Sequence, residues 1–156
     1  MNTSVILKTL IICLLPLSAS ASEFLAWPAN EGAYVYFINL EDGASVTSPV
    51  LVQMGVSGMG VAPAGTEREG TGHHHILLDR PALGKGPDGN DEWIYNLPAD
   101  ENHIHFGGGQ TETTLDLPPG KHSLQLVFGD MNHIPFGPQM VTEVITITVE
   151  DPDKSK

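Results

Sequence analysis

No stretch of this chain sustains a 3.6-residue apolar period long enough for a core-facing helix. Short β-prone runs alternate instead with breaks rich in glycine and proline, and that punctuation constrains the fold more than any other feature. Tyr34-Val35-Tyr36-Phe37-Ile38 is the first run, closed by the turn signal Glu41-Asp42-Gly43. Pro49 opens the second, Val50 to Val56, and a loop rich in Gly and Pro fills 57–72. His74 to Leu78 predicts a third strand, Trp93-Ile94-Tyr95 a short one, and His103-Ile104-His105-Phe106 another. Thr111 to Leu117 is β-prone, and Pro118-Pro119-Gly120 is a tight turn. After it, His122 to Phe128 sets Leu124, Leu126 and Phe128 on one face and Ser123, Gln125 and Val127 on the other. Met140 to Val149 predicts the last strand.

Seven or so such strands point to an all-β, single-domain antiparallel two-sheet sandwich, with an open barrel as the rival. The tract Leu117 to Leu124 has the look of a late strand in an immunoglobulin-like sandwich. No repeat, linker or second domain interrupts the pattern.

Residues 1–21 are expected to be a signal peptide. Lys8 is the basic start, Thr9 to Leu17 the apolar centre, and Ala19-Ser20-Ala21 the small residues a signal peptidase reads. The apolar run is shorter than the ~20 residues a membrane span needs. Ile12 before Cys13 is too large for a lipoprotein cleavage site, so no lipid anchor is expected. Cleavage leaves a β-sandwich domain over 22–150 and a polar tail over 151–156, in a periplasmic or secreted bacterial protein. Cys13 is the only cysteine and leaves with the leader, so neither a disulfide nor a thiolate ligand is available to the mature chain. Without Lys8 the chain has 6 basic and 19 acidic residues, hence 6 − 19 = −13. That charge repels phosphate backbones and anionic lipid, which argues against nucleic acid and membrane partners.

The seven histidines fall at 73–75, 103, 105, 122 and 133. Strand pleating puts His73 and His75 on one face with Leu77 and Asp79, expected to be an outer or end surface, and tips His74 inward. The same rule puts His103 and His105 on one face, opposite Ile104 and Phe106. Two such pairs on neighbouring strands would gather four imidazoles. Same-face neighbours lie about 7 Å apart at Cα, close enough for two ring nitrogens to meet on one ion. Imidazole suits copper(II), zinc and nickel, and copper(II) binds tightest among them. His73, His75, His103 and His105 are therefore the candidate ligands, with His133 as an auxiliary, and copper is favoured over zinc. Met59 and Met131, in predicted loops, are the methionines placed to offer thioethers, though methionine more often fills a core. His122, on the Leu124 face, reads as a hydrogen-bonded structural residue. Gly107-Gly108-Gly109 is either a bulge that admits a close approach or a flexible turn. No Ser/His/Asp spacing, H-E-x-x-H motif or phosphate loop is present, so the reading leans against an enzyme, with a cross-strand pair such as His75 and Asp130 left open.

Four phrases together carry a resemblance: Gly58 to Gly65, Gly70 to Asp79, His103 to Glu112, and Pro119 to Asp130. Over roughly Gly32 to Val149 the chain resembles a family of small secreted bacterial domains known as domain of unknown function number 4399. The resemblance implies a periplasmic or extracellular β domain and no particular activity. In that family the loop after Asp130 often reads His-x-Pro-His, whereas here His133-Ile134-Pro135 is followed by Phe136.

Two functions follow. One is a non-catalytic metal-binding protein whose affinity falls as pH drops through about 6.5, where free imidazole protonates. The other is a structural or interaction module of the cell envelope, binding a protein or a glycan, with histidines that only tie loops together.

Overall fold

The computed structural model describes residues 28–151, so the expected leader and all but the first residue of the polar tail lie outside it. Nine strands form: β1 (Tyr34–Phe37), β2 (Ser45–Val46), β3 (Val50–Ser57), β4 (Gly60–Val61), β5 (Thr71–Leu78), β6 (His103–His105), β7 (Glu112–Leu115), β8 (Gly120–Gly129) and β9 (Ile145–Val149). No α-helix occurs among the described residues, only two short 3-10 turns, Gly89–Trp93 and Pro138–Met140. A three-stranded sheet runs β1-β3-β7 and a six-stranded sheet runs β2-β9-β8-β5-β4, with β6 also paired to β5. The sheets pack together as a β-sandwich. Pairing is antiparallel except at the two-residue strands β2 and β4, which join β9 and β5 in parallel. Both are too short to show a period; β4 lies in the expected loop 57–72, and β2 falls between the turn signal at 41–43 and the strand opened by Pro49.

The inner faces follow the pleat. On β8, Leu124, Leu126 and Phe128 point into the sandwich and are fully buried. Val35, Val52 and Met54 meet them from the smaller sheet, together with Ile76 and Ile147 from the larger. Each such side chain contributes about 1.5–3 kcal/mol of burial. Met54 and Met140 belong to this core, and Met59 packs against it.

The outer face of β5 departs from expectation. His73 through Leu77 are all buried, on both faces of the strand. The segment after Asp79 folds back over the sheet and builds a second small core of Leu77, Leu83, Leu97 and Val127, backed by Trp93 and Val141. It is pinned by polar contacts: Leu83 N–H donates to Gln125 Oε1 at 2.8 Å, and Gly84 N–H to Glu92 Oε2 at 2.6 Å. Buried Glu92 also pairs with Arg80. Trp93 to Tyr95 is not a strand, because the N–H groups of Ile94 and Tyr95 both turn back to the carbonyl of Asp91. The expected last strand likewise starts late, since Pro138–Met140 is a 3-10 turn.

Candidate metal centre

Register brings the histidines together. His75 lies opposite His105 on β6 and opposite Val127 on β8, and His73 lies opposite Gly129. The chain leaving β8 at Gly129 then turns and returns His133 beside the same face. A carbon at position 129 would stand 3.2 Å from His75 Nε2 and 3.4–3.5 Å from the His133 backbone. A side chain there would press on the His75 ring and fill the space against that turn. Position 107 does the same for His105: a Cβ there would stand 2.7 Å from its Nε2. The glycine run thus admits a close approach, by a histidine ring.

Four imidazoles result. Ring centroids of His73, His75 and His105 lie 4.8, 5.0 and 5.1 Å apart. The His133 ring lies 4.5 Å from His105, 5.1 Å from His73 and 5.8 Å from His75, standing nearly perpendicular to each. Nitrogens ~2.1 Å from a shared tetrahedral ion would set imidazole centroids roughly 5 Å apart. The observed separations bracket that value. Nitrogen atoms of His73, His75 and His105 all lie within 4.8 Å of one another. Nε2 of His73 and Nε2 of His75 are 3.1 Å apart, close to the ~3.3 Å expected of two nitrogens on one tetrahedral ion. His73 Nδ1, His75 Nδ1 and His105 Nε2 are buried with no hydrogen-bond partner. An orphaned buried polar atom is costly, and an ion held beside the Nε2 atoms of His73 and His75 would give His105 Nε2 a partner, whereas Nδ1 of His73 and of His75 lies elsewhere on its ring. The donor set therefore fits a divalent transition metal.

Burial and neighbouring imidazoles lower the pKa of His73, His75 and His105. Desolvation, then His133, His105 and His74 nearby, push His73 from 6.5 down to about 4. Desolvation, then His73, His105, His133 and His74, push His75 down to about 2. His105 is lowered by burial and by His133. Neutral imidazole is the ligating form, so readiness for metal extends well below the 6.5 of a free ring.

His103 is not brought into this group. Its Nδ1 is 2.8 Å from Asp100 Oδ1, and its Nε2 takes the Arg80 guanidinium. β6 is only three residues long and turns at the Asp100–His103 bridge. The local carboxylate therefore captures the ring before it can join His105: of the expected ligands 73, 75, 103 and 105 with auxiliary 133, nitrogens of His73, His75 and His105 come together and the His133 ring lies beside them. The expected outer surface is likewise corrected to a buried one: His73 and His75 have no exposed area, and only His105 and His133 are half-buried. His74 points into the sandwich, edge-on to Phe128 at 5.0 Å. Desolvation lowers it to about 4, with the Gln110 and Gly55 backbones opposing, yet neither ring nitrogen has a hydrogen bond of normal geometry. His122 is structural: Nδ1 is 2.7 Å from Asp79 Oδ2, and Nε2 is 2.8 Å from the Pro118 carbonyl. Desolvation works against its protonation, but Asp79 and Pro118 outweigh it and raise its pKa. The suggested His75–Asp130 pair does not form, since Asp130 Oδ1 accepts backbone N–H groups of its own loop. Phe136 stacks on Phe128 in the core, 6.0 Å between centroids, away from the role a second loop histidine would have had.

No helix among the described residues is long and apolar enough to cross a membrane. Neither a curated protein nor a solved structure matches the chain significantly. A family profile does, over residues 52–150, starting later than the resemblance near Gly32 suggested but taking in all seven histidines. With that span, the chain belongs to the family described as Domain of unknown function (DUF4399).

Proposed function

We propose that this is a periplasmic or secreted bacterial protein that binds a transition-metal ion without catalysing a reaction on it. Copper(II) is favoured over zinc, with His73, His75, His105 and His133 as ligands. One observation carries the reading: four imidazole rings within 4.5–5.8 Å of one another, with nitrogens of His73, His75 and His105 all within 4.8 Å and His105 Nε2 buried without a partner. An all-imidazole set without thiolate ranks copper(II) above zinc by the general order of divalent affinities. The leader-like residues 1–21 support the location, and the acidic surface would draw cations toward the protein. Calorimetric titration of the mature protein with copper(II) and with zinc, repeated on His75→Ala and His105→Ala, tests it. Binding of neither ion more tightly than millimolar would end this reading.

An interaction module of the cell envelope is the second reading, favoured by a separate observation. Tyr34, Tyr36, Ile38 and Leu51 are exposed, and the two tyrosine rings lie 5.5 Å apart. The alternation of β1 and its extension puts Tyr34, Tyr36 and Ile38 on the side away from the core. Under this reading a protein or glycan docks there, histidine substitutions lower thermal stability, and added metal leaves the melting temperature unchanged.

A further inference from the structure

We infer that Asp130 is a positioning residue that holds His133 as the fourth nitrogen donor of the cluster; this rests on the metal-binding reading. His133 is one of only two non-glycine residues with positive φ among the described residues, at 66°. A non-glycine residue in that region is uncommon, and the surrounding structure offsets its cost. Those surroundings converge on one residue, two bonds through its carboxylate and two through its main chain. Asp130 is 5% exposed, and its Oδ1 accepts the N–H groups of Asn132 at 2.8 Å and Ile134 at 3.0 Å, on either side of His133. The Asp130 carbonyl accepts the His133 N–H at 2.9 Å, and the Asp130 N–H donates to the Ile134 carbonyl at 2.9 Å. One residue thereby closes the turn by four hydrogen bonds. Leu97 N–H and Asn96 Nδ2 tie the outside of the same turn to the folded-back segment, through the carbonyls of His133 and Asn132.

The other three histidines need no such device. His73 and His75 sit on β5 and His105 on β6, where ladder pairing sets their direction. His133 is the only cluster member on a loop, and the Asp130 turn replaces the ladder for it. Without the carboxylate, the N–H groups of Asn132 and Ile134 lose their acceptor and the backbone at 133 can relax to negative φ. The ring then swings off His105 while the three strand-borne rings stay.

The test uses the mature protein with and without copper(II) alone. In the metal-free protein, nuclear Overhauser contacts between the His133 and His105 rings should be present in the wild type. They should be lost in Asp130→Ala, with His73–His75–His105 contacts and amide dispersion kept. In the copper(II)-loaded protein, nitrogen superhyperfine structure in electron paramagnetic resonance should fall from four donors to three, with affinity down about 10-fold. Asp130→Asn keeps the acceptor oxygen and should restore both signals. Should Asp130→Ala not fold, Asp130→Ser, too short to reach both N–H groups, is read the same way. Retention of the ring contact and four nitrogens in Asp130→Ala, or their loss in Asp130→Asn, overturns the proposal. If the wild type binds no copper, the metal reading falls, and the ring contact alone decides the positioning role.

Discussion

His122 and the cluster of His73, His75, His105 and His133 are the same residue type on or beside one sheet, in opposite surroundings. Each nitrogen of His122 has an oxygen partner, and Asp79 lifts its pKa. The cluster faces other imidazoles, burial lowers three of its rings, and three nitrogens lack a partner. His103, two residues from His105, falls on the His122 side of this divide because Asp100 and Arg80 reach it first. What separates the two kinds is the neighbour that arrives through tertiary folding. A carboxylate makes a histidine a strut, and further imidazoles, on the proposed reading, make it a ligand.

The comparison breaks most visibly if the cluster is dispensable for metal. His75→Ala is expected to weaken copper(II) binding by at least about 100-fold, since it removes the most buried donor. His122→Ala should leave that affinity unchanged. Saturating metal, near 1,000 times its dissociation constant, should stabilise the wild type by about 4 kcal/mol, a rise in melting temperature on the order of 10 °C. At the same metal concentration the rise should shrink to about a third or less in His75→Ala.

Gly107→Ala sharpens the contrast with a smaller effect. The added methyl would sit 2.7 Å from His105 Nε2, so that ring must move. About a 10-fold loss of metal affinity is expected in competition titrations, with the circular dichroism of the sandwich unchanged.

His122→Ala should instead lower stability by about 1–2 kcal/mol in urea unfolding, through two lost hydrogen bonds.

The effects of pH run in opposite directions for the two kinds of histidine. The cluster pKa values are depressed on folding, so below 6.5 the unfolded chain takes up protons that the folded one refuses. Their contribution is complete above pH 6.5 and is lost as pH falls toward about 4. Metal-free protein should lose on the order of 1 kcal/mol per pH unit per histidine across that window. His73→Phe should flatten the slope. His122 is raised, so its contribution is complete below 6.5 and fades as pH rises through its folded value. Urea midpoints of wild type, His73→Phe and His122→Ala between pH 5 and 8 separate the two.

Much of this was legible in the chain. Period-2 alternation set the faces of β5 and β8 correctly, including His74 inward and His73 with His75 outward from the sandwich. The His122 assignment as structural also follows from its apolar-face neighbours. What strand pleating cannot supply is the third layer. The segment after Asp79 has no period, yet it folds over β5 and turns an expected surface into a buried one. Pleating puts His103 and His105 on one face, but only tertiary contacts decide that the first is captured by Asp100. His133 carried little signal beyond its neighbours Met131 and Pro135, because a left-handed loop residue follows no period. The spacing Asp130-x-x-His133, with glycine just before it, is the one local cue that such a turn was coming.

X-ray absorption at the copper edge of the loaded mature protein reads the central claim most directly. Three to four nitrogens at ~2.0 Å with the outer-shell scattering of imidazole rings are expected, and that scattering should be diminished in His75→Ala. A first shell of oxygens without imidazole scattering, or a spectrum indifferent to His75→Ala, would contradict the account.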